Sequence, residues 1–184
     1  MRKTLMAASV LALMAGSASA ATVSYSGTTG AAGTLSSLSL QQFDSSLGTL
    51  TGIEIEWDSG FSARFVAAQE TPEDSGTVSG ADGFVVSTII NFAAPAGTSV
   101  PDLSANAGSA FSVSVPSTYQ QIVSGGDADV RNYGPLASFI GLGTVSYSFV
   151  GSASDTSSAS NGILRGVQDY VYLVNADITY TYDT

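Results

Sequence analysis

From Tyr170 to Asp183 the chain alternates without a break. Tyr170, Tyr172, Val174, Ala176, Ile178, Tyr180 and Tyr182 fall on one side, and Val171, Leu173, Asn175, Asp177, Thr179, Thr181 and Asp183 on the other. Strand side chains point alternately to opposite faces, whereas a helix repeats every three to four residues. Period two sustained over this length excludes a helix and predicts a strand with one side on a core. The tyrosine side reads as that core face rather than as a binding stripe, because strand aromatics mostly stabilise packing across strands.

A second alternating stretch runs from Leu38 to Trp57. Leu38, Leu40 and, after a slip of register, Phe43 precede a polar turn, and Ile53, Ile55 and Trp57 then alternate with Gly52, Glu54 and Glu56. Asp44 can accept a hydrogen bond from the backbone that follows it, and Gly48 supplies a position where positive φ costs little. The stretch predicts a hairpin-like corner with one wet face.

The residues of this corner, LQQFDSSLGTL, resemble the motif of the choice-of-anchor E domain: an apolar strand, a Phe-Asp, a short turn, then Leu-Gly-Thr-Leu and the next strand. Leu136 to Gly143, LASFIGLG, and the closing VNADITYTYDT are similar to later parts of the same family, so the resemblance spans roughly Ser24 to Asp183. It implies a bacterial surface or secreted domain, usually followed by a variable sorting anchor, and implies no particular activity. Members commonly carry a small-residue motif, a membrane helix and a basic tail at the C-terminus. The residues up to Thr184 have none of these, so anchoring by that route is not expected.

Residues 1–20, MRKTLMAASVLALMAGSASA, have a basic start, an apolar run from Leu5 to Met14 and small residues at Ala18 and Ala20, which predicts a secretory signal peptide cleaved after Ala20. The apolar run is too short to span a bilayer, which takes about 20 residues. Residues 21–184 then form a single domain of a size that can bury a core. Arg2 and Lys3 leave with the signal, so Arg64, Arg131 and Arg165 face fifteen acids, a formal charge of −12. Nucleic-acid footprints need clustered cations, so such a partner is excluded, while cationic partners, divalent metals above all, stay open. The absence of cysteine means no disulfide staples. The absence of histidine removes the usual general base and the common zinc ligand.

Between the two alternating stretches and their flanks, the pattern predicts short strands at Val23–Tyr25, Phe61–Val66, Phe84–Phe92, Phe111–Val115, Tyr119–Val123 and Val145–Phe149. Turn chemistry is expected at Asp58-Ser59-Gly60, loops at 70–83, 93–107 and 124–134, one helical turn or bend at Leu136–Ile140, and a mobile Ser-rich segment at 151–161. Eight to ten strands predict an all-β, two-sheet antiparallel sandwich, jelly-roll or immunoglobulin-like, whose N- and C-terminal strands are candidates for sheet edges.

Two groups of acids are candidates for chemistry. Glu54, Glu56 and Asp58 share one face at steps of about 7 Å. They invite comparison with jelly-roll glycoside hydrolases, with Trp57 as the sole tryptophan that could stack a sugar. The other reading is a solvated strand face. Asp127 and Asp129 in GGDADVRN, and Glu73, Asp74 and Asp82 in the acidic loop, could ligate calcium or could simply serve turns and solubility. The sequence therefore predicts a secreted, non-catalytic structural or adhesive module of a cell surface or biofilm matrix, with self-association or glycan as partners. A carbohydrate-binding module is the alternative, and a glycoside hydrolase on Glu54, Glu56 and Asp58 a third reading. Protein recovered from the medium of producing cells is expected to begin at Ala21, which intact mass and N-terminal sequencing check.

Overall fold

The computed structural model describes residues 19–30, 35–69, 76–80, 85–99, 103–107, 111–115, 118–155, 158–159 and 163–184. The signal-peptide assignment therefore lies outside the described residues except for Ser19 and Ala20, as do Glu73, Asp74 and Asp82. Strands β1 (Ala20–Thr28), β2 (Leu35–Gln41), β3 (Thr49–Gln69), β4 (Gly76–Gly80), β5 (Val85–Ala93) and β6 (Leu103–Ala107) are followed by β7 (Phe111–Val115), β8 (Thr118–Tyr133), β9 (Thr144–Asp155), β10 (Ser158–Ala159) and β11 (Ile163–Asp183). The two four-stranded antiparallel sheets have the orders β1-β11-β3-β8, here sheet A, and β2-β9-β5-β6, sheet B. A small third sheet has the order β10-β4-β7. The chain is all-β, as its alternation predicts, and the arrangement is consistent with a β-sandwich.

The core lies between sheets A and B. Trp57 of β3 meets Tyr147 of β9 edge-on with ring centroids 4.9 Å apart, and Phe149 at 5.9 Å. Tyr172, Val174, Ala176, Ile178 and Tyr180 of β11 are buried, which bears out the tyrosine row as a core face. Their hydroxyls do not stop in apolar surroundings. Tyr180 Oη donates to the Gln41 carbonyl at 2.7 Å, and Tyr172 Oη to the Phe149 carbonyl at 3.2 Å. Tyr172 and Tyr180 thus each fill the core with a ring and tie sheet A to sheet B with the hydroxyl at its tip, the use for which an amphipathic aromatic is suited. Burial pushes the Tyr147 phenol up to about 12, against the smaller opposing effect of its bond to Thr98, and raises Tyr180 further still.

The corner around Asp44 departs from a hairpin. β2 pairs with β9 in sheet B and β3 pairs with β11 and β8 in sheet A, so the turn carries the chain from one sheet to the other. Its local chemistry is as expected. Asp44 Oδ1 accepts from the Ser46 backbone N–H at 2.8 Å, which holds the carboxyl below its ordinary value, and a single 3-10 turn follows at Ser45–Leu47. Gly48 then adopts φ +151°, and a Cβ there would overlap the Asp183 carbonyl oxygen. Phe43, set free by the slip of register, is buried against Tyr180 and Tyr182 at 5.7 and 5.2 Å.

Other expectations fail for identifiable reasons. Asp58-Ser59-Gly60 is no turn. β3 runs straight through it, because the inward phase of Ile53, Ile55 and Trp57 continues without slip through Ser59, Phe61, Ala63 and Phe65, and both neighbouring strands pair with it. The loop at 124–134 is the second half of β8, and the loops at 70–83 and 93–107 contain β4 and β6. The Ser-rich segment supplies the end of β9 and β10 rather than only a mobile link. β11 is not an edge: it pairs with β1 on one side and β3 on the other, whereas β1 is an edge of sheet A, as expected. Beside the Asp44 corner, in the β8–β9 connection, a 3-10 turn at Ala137–Phe139 buries Phe139, and Ile140 bridges back to Phe43.

Close approach of the two sheets depends on Gly151 of β9, where any Cβ would run into the Tyr172 ring. Overpacking a filled core commonly costs about 1–3 kcal/mol. Gly151→Ala is expected to lower the unfolding free energy by about that much, measured as a shift in urea midpoint at unchanged slope.

Candidate functional site

Because β3 keeps its phase, Glu54, Glu56 and Asp58 all turn away from the core onto the outer face of sheet A. The register sets Thr179, Asp177 and Asn175 of β11 beside them on one flank, and Asn132, Val130 and Ala128 of β8 on the other. Asp177 accepts a hydrogen bond from Ser26 Oγ of β1, and Asn175 Nδ2 reaches toward Asp58 Oδ2 at 3.5 Å. Two shallow hollows lie here, one of about 300 Å³ between Glu56, Asp58, Val130 and Asp177, the other of about 410 Å³ bordered by Ser26, Asp58, Asn175 and Asp177.

Sequence spacing thus placed the β3 acids correctly on one face but could not reveal Asp177 and Asn175, which come from β11 through register. Their polar half of the period-two run was visible, and its neighbour was not. Glu56 stands directly opposite Asp177 across the strand pair. Like charges in that relation destabilise a sheet by roughly 0.2–1 kcal/mol.

Trp57 does not join these acids. It points to the opposite face, is 2 % exposed and belongs to the inter-sheet core, so it offers no platform for a sugar beside Glu56 and Asp58. Its Nε1–H meets no acceptor among the described residues.

Asp127 and Asp129 also lie on the inner side of their strand, away from the acidic row, because they pair with Ser59 and Trp57. Asp127 Oδ2 accepts from the Ser104 backbone N–H at 3.1 Å and Oδ1 from the Ala128 N–H at 2.9 Å. The first of these bonds joins the β8 edge of sheet A to the β6 edge of sheet B. Asp129 Oδ2 lies 2.7 Å from Arg131 Nε. The two aspartates named as one candidate for calcium are thus engaged with protein groups, one as an edge fastener and one in an ion pair. Among the described residues no three Asp, Glu, His or Cys side chains converge as an ion site.

The outer face of sheet B has a different chemistry. Leu35, Ser37 and Ser39 of β2 point outward beside Val150, Ser148 and Ser146 of β9, and Ser39 and Ser146 hydroxyls are bonded at 3.0 Å. Arg64, Arg131 and Arg165 all belong to sheet A, as do all strand carboxylates except Asp155. A hollow of about 390 Å³ on the sheet B side is lined by Leu35, Ser36, Ser37 and Ser148.

No protein-family model matches the chain, and no curated protein or solved structure matches it. Asp177→Asn removes the like-charge opposition without changing shape. It is expected to raise stability by roughly 0.2–1 kcal/mol, a gain that shrinks as added salt screens exposed charges; paired thermal melts at low and high ionic strength check both.

Proposed function

We propose that this chain is an exported, non-catalytic structural or adhesive module of a bacterial surface or extracellular matrix, related to the choice-of-anchor E domain. The observation that carries the reading is the division of labour among side chains. The large aromatics are spent in the inter-sheet core, while the two outer faces present unlike chemistry, acids with amides on sheet A and hydroxyls on sheet B. Such a body works by presenting surfaces.

The finer fold assignment goes with it. With β4, β7 and β10 set aside, the remaining eight strands in chain order read 1-8-3-6 in one sheet and 2-7-4-5 in the other. That order supports a jelly-roll arrangement of two Greek keys over the immunoglobulin-like alternative. The hydrolase reading gains nothing from the geometry, since its tryptophan is in the core and its acids stand in a row on an open face.

The reading is tested by adding purified protein back to producing cells lacking it. Retention on cells or matrix that survives washing, with no release of reducing ends from cell-wall or matrix polysaccharide, is the expected result. Protein that stays wholly in the wash would overturn the adhesive role, and reducing-end release abolished by Glu56→Gln would replace it with hydrolysis.

A further inference from the structure

We propose that the free edge of β1 pairs with the β1 edge of a second copy of this chain, antiparallel about a two-fold axis at Tyr25. The inference needs only the folded domain and goes beyond the surface-module reading, so either can fail alone. Thr29 N–H donates to the Val174 carbonyl at 2.9 Å, one step past the pairing of Thr28 with Asn175. Antiparallel pairs alternate between bonded and non-bonded, so Val23, Tyr25 and Gly27 turn their N–H and C=O groups to β11. Thr22, Ser24, Ser26 and Thr28 turn theirs outward, and among the described residues no strand but β11 pairs with β1. The strand has none of the devices that close an edge. AATVSYSGT holds no charge and no proline, and its register with β11 runs without a bulge.

The other edges of sheets A and B are covered or charged. Gln42 N–H bonds the Gly143 carbonyl in step with the register of β2 and β9, so the odd-numbered residues of β2 face out. Of their carbonyls, Ser39 faces Gly27 of β1 and Gln41 accepts the Tyr180 hydroxyl. β8 carries Asp127, Asp129 and Arg131, and Asp127 fastens it to Ser104 of β6. Exposed apolar residues on the outer face of sheet A stand among charges, Ile122 opposite Arg64 and Val130 opposite Glu56. A second copy is the partner the β1 edge fits, because the edge is its own complement. Thr22 meets the second copy's Thr28 and Ser24 its Ser26, each pair and its reciprocal exchanging two backbone bonds. With a formal net charge of −10, two copies repel over most of their surface. Here the flanking acids, Asp177 and Asp183, stand one strand in. Those of two copies thus stay at least three strand spacings apart, about 14 Å, beyond the screening length of about 8 Å at physiological salt. Nine residues of edge make a small contact beside a standard interface of about 1,600 Å², so the dimer is weak and reversible.

The test is sedimentation of the purified protein over a range of concentrations. Wild type is expected to show a reversible monomer–dimer equilibrium whose Kd falls as added salt screens the repulsion. Ser24→Pro deletes an outward N–H and leaves the β11 ladder intact, since proline is tolerated where an edge strand's N–H faces solvent. It is expected to raise the Kd about tenfold, the worth of the two bonds lost across the axis, at an unchanged melting temperature in dilute solution. Register is read by cysteine, which the chain otherwise lacks. Thr22→Cys mixed with Thr28→Cys is expected to form a disulfide-linked heterodimer under mild oxidation, because hydrogen-bonded pairs bring Cα atoms to about 5.5 Å, within disulfide reach. Thr22→Cys alone is expected to give less than about a tenth of that product, its two sulfurs lying about 20 Å apart along the paired strands. Should Ser24→Pro not fold, the cysteine pair decides. A monomer at every concentration, a folded Ser24→Pro dimer as tight as wild type, or equal crosslinking by single and mixed cysteines overturns the inference. So does a dimer that salt dissolves, or assembly that grows past the dimer, since two-fold pairing closes. Protein held on cells while monomeric at every concentration sinks this pairing and leaves the surface-module reading standing; a β1 dimer that washes off the cells does the reverse.

Discussion

The fold hangs on β11. It is an inner strand of sheet A, paired with β3 along nearly its whole length and with β1 over Asn175–Asp183, and its buried tyrosines reach across the core to backbone carbonyls of β2 and β9. One strand therefore supplies the lateral pairing of one sheet, much of the core volume and two polar ties to the opposite sheet. Truncating a large buried aromatic commonly costs about 3–5 kcal/mol, and here the loss of a tyrosine would also leave a carbonyl of the other sheet without its donor. This concentration of roles explains how a chain without a disulfide holds two layers in register.

Much of this was legible in the sequence, and the limits have a physical pattern. Inward and outward assignment along β11 and the first half of β3 follows from alternation, because side-chain period is a local property. The turn at Asp44 was legible too, since Asx chemistry and a glycine act within four residues. What misled was composition read as punctuation. Asp58-Ser59-Gly60 looks like a turn, yet Trp57 and Phe61 stay in phase across it, and phase continuity outweighs residue type when partners on both sides demand a strand. β8 was missed in its second half because polar residues at a sheet's edge can face inward: Asp127 finds the Ser104 amide there. The acidic face was half legible for the same reason, since Asp177 joins Glu56 only by register, which no single stretch of sequence encodes.

The two sheets divide the electrostatics between them. Fixed charge gathers on sheet A, where Glu54, Glu56, Asp58 and Asp177 are outward and three arginines each find an acid, Arg64 with Asp169 at 2.6 Å, Arg131 with Asp129 at 2.7 Å and Arg165 with Asp155 of sheet B at 2.8 Å. These pairs are half exposed and contribute modestly to stability. Their more evident effect is to leave the unpaired negative charge on the outer row of β3 and β11, so the molecule approaches other surfaces with two dissimilar sides.

The pairing of β1 with β11 joins Ala21 to Tyr182, and the Ser24 and Thr179 hydroxyls that meet within it are 155 residues apart along the chain. A chain that becomes available from its first residue onward presents β1 early and β11 late. Sheet A cannot close until β11 has joined it, and the earlier strands wait meanwhile with their apolar sides uncovered. The architecture thus postpones closure to the arrival of one late strand, and makes the interval before it the moment when the molecule most needs shelter.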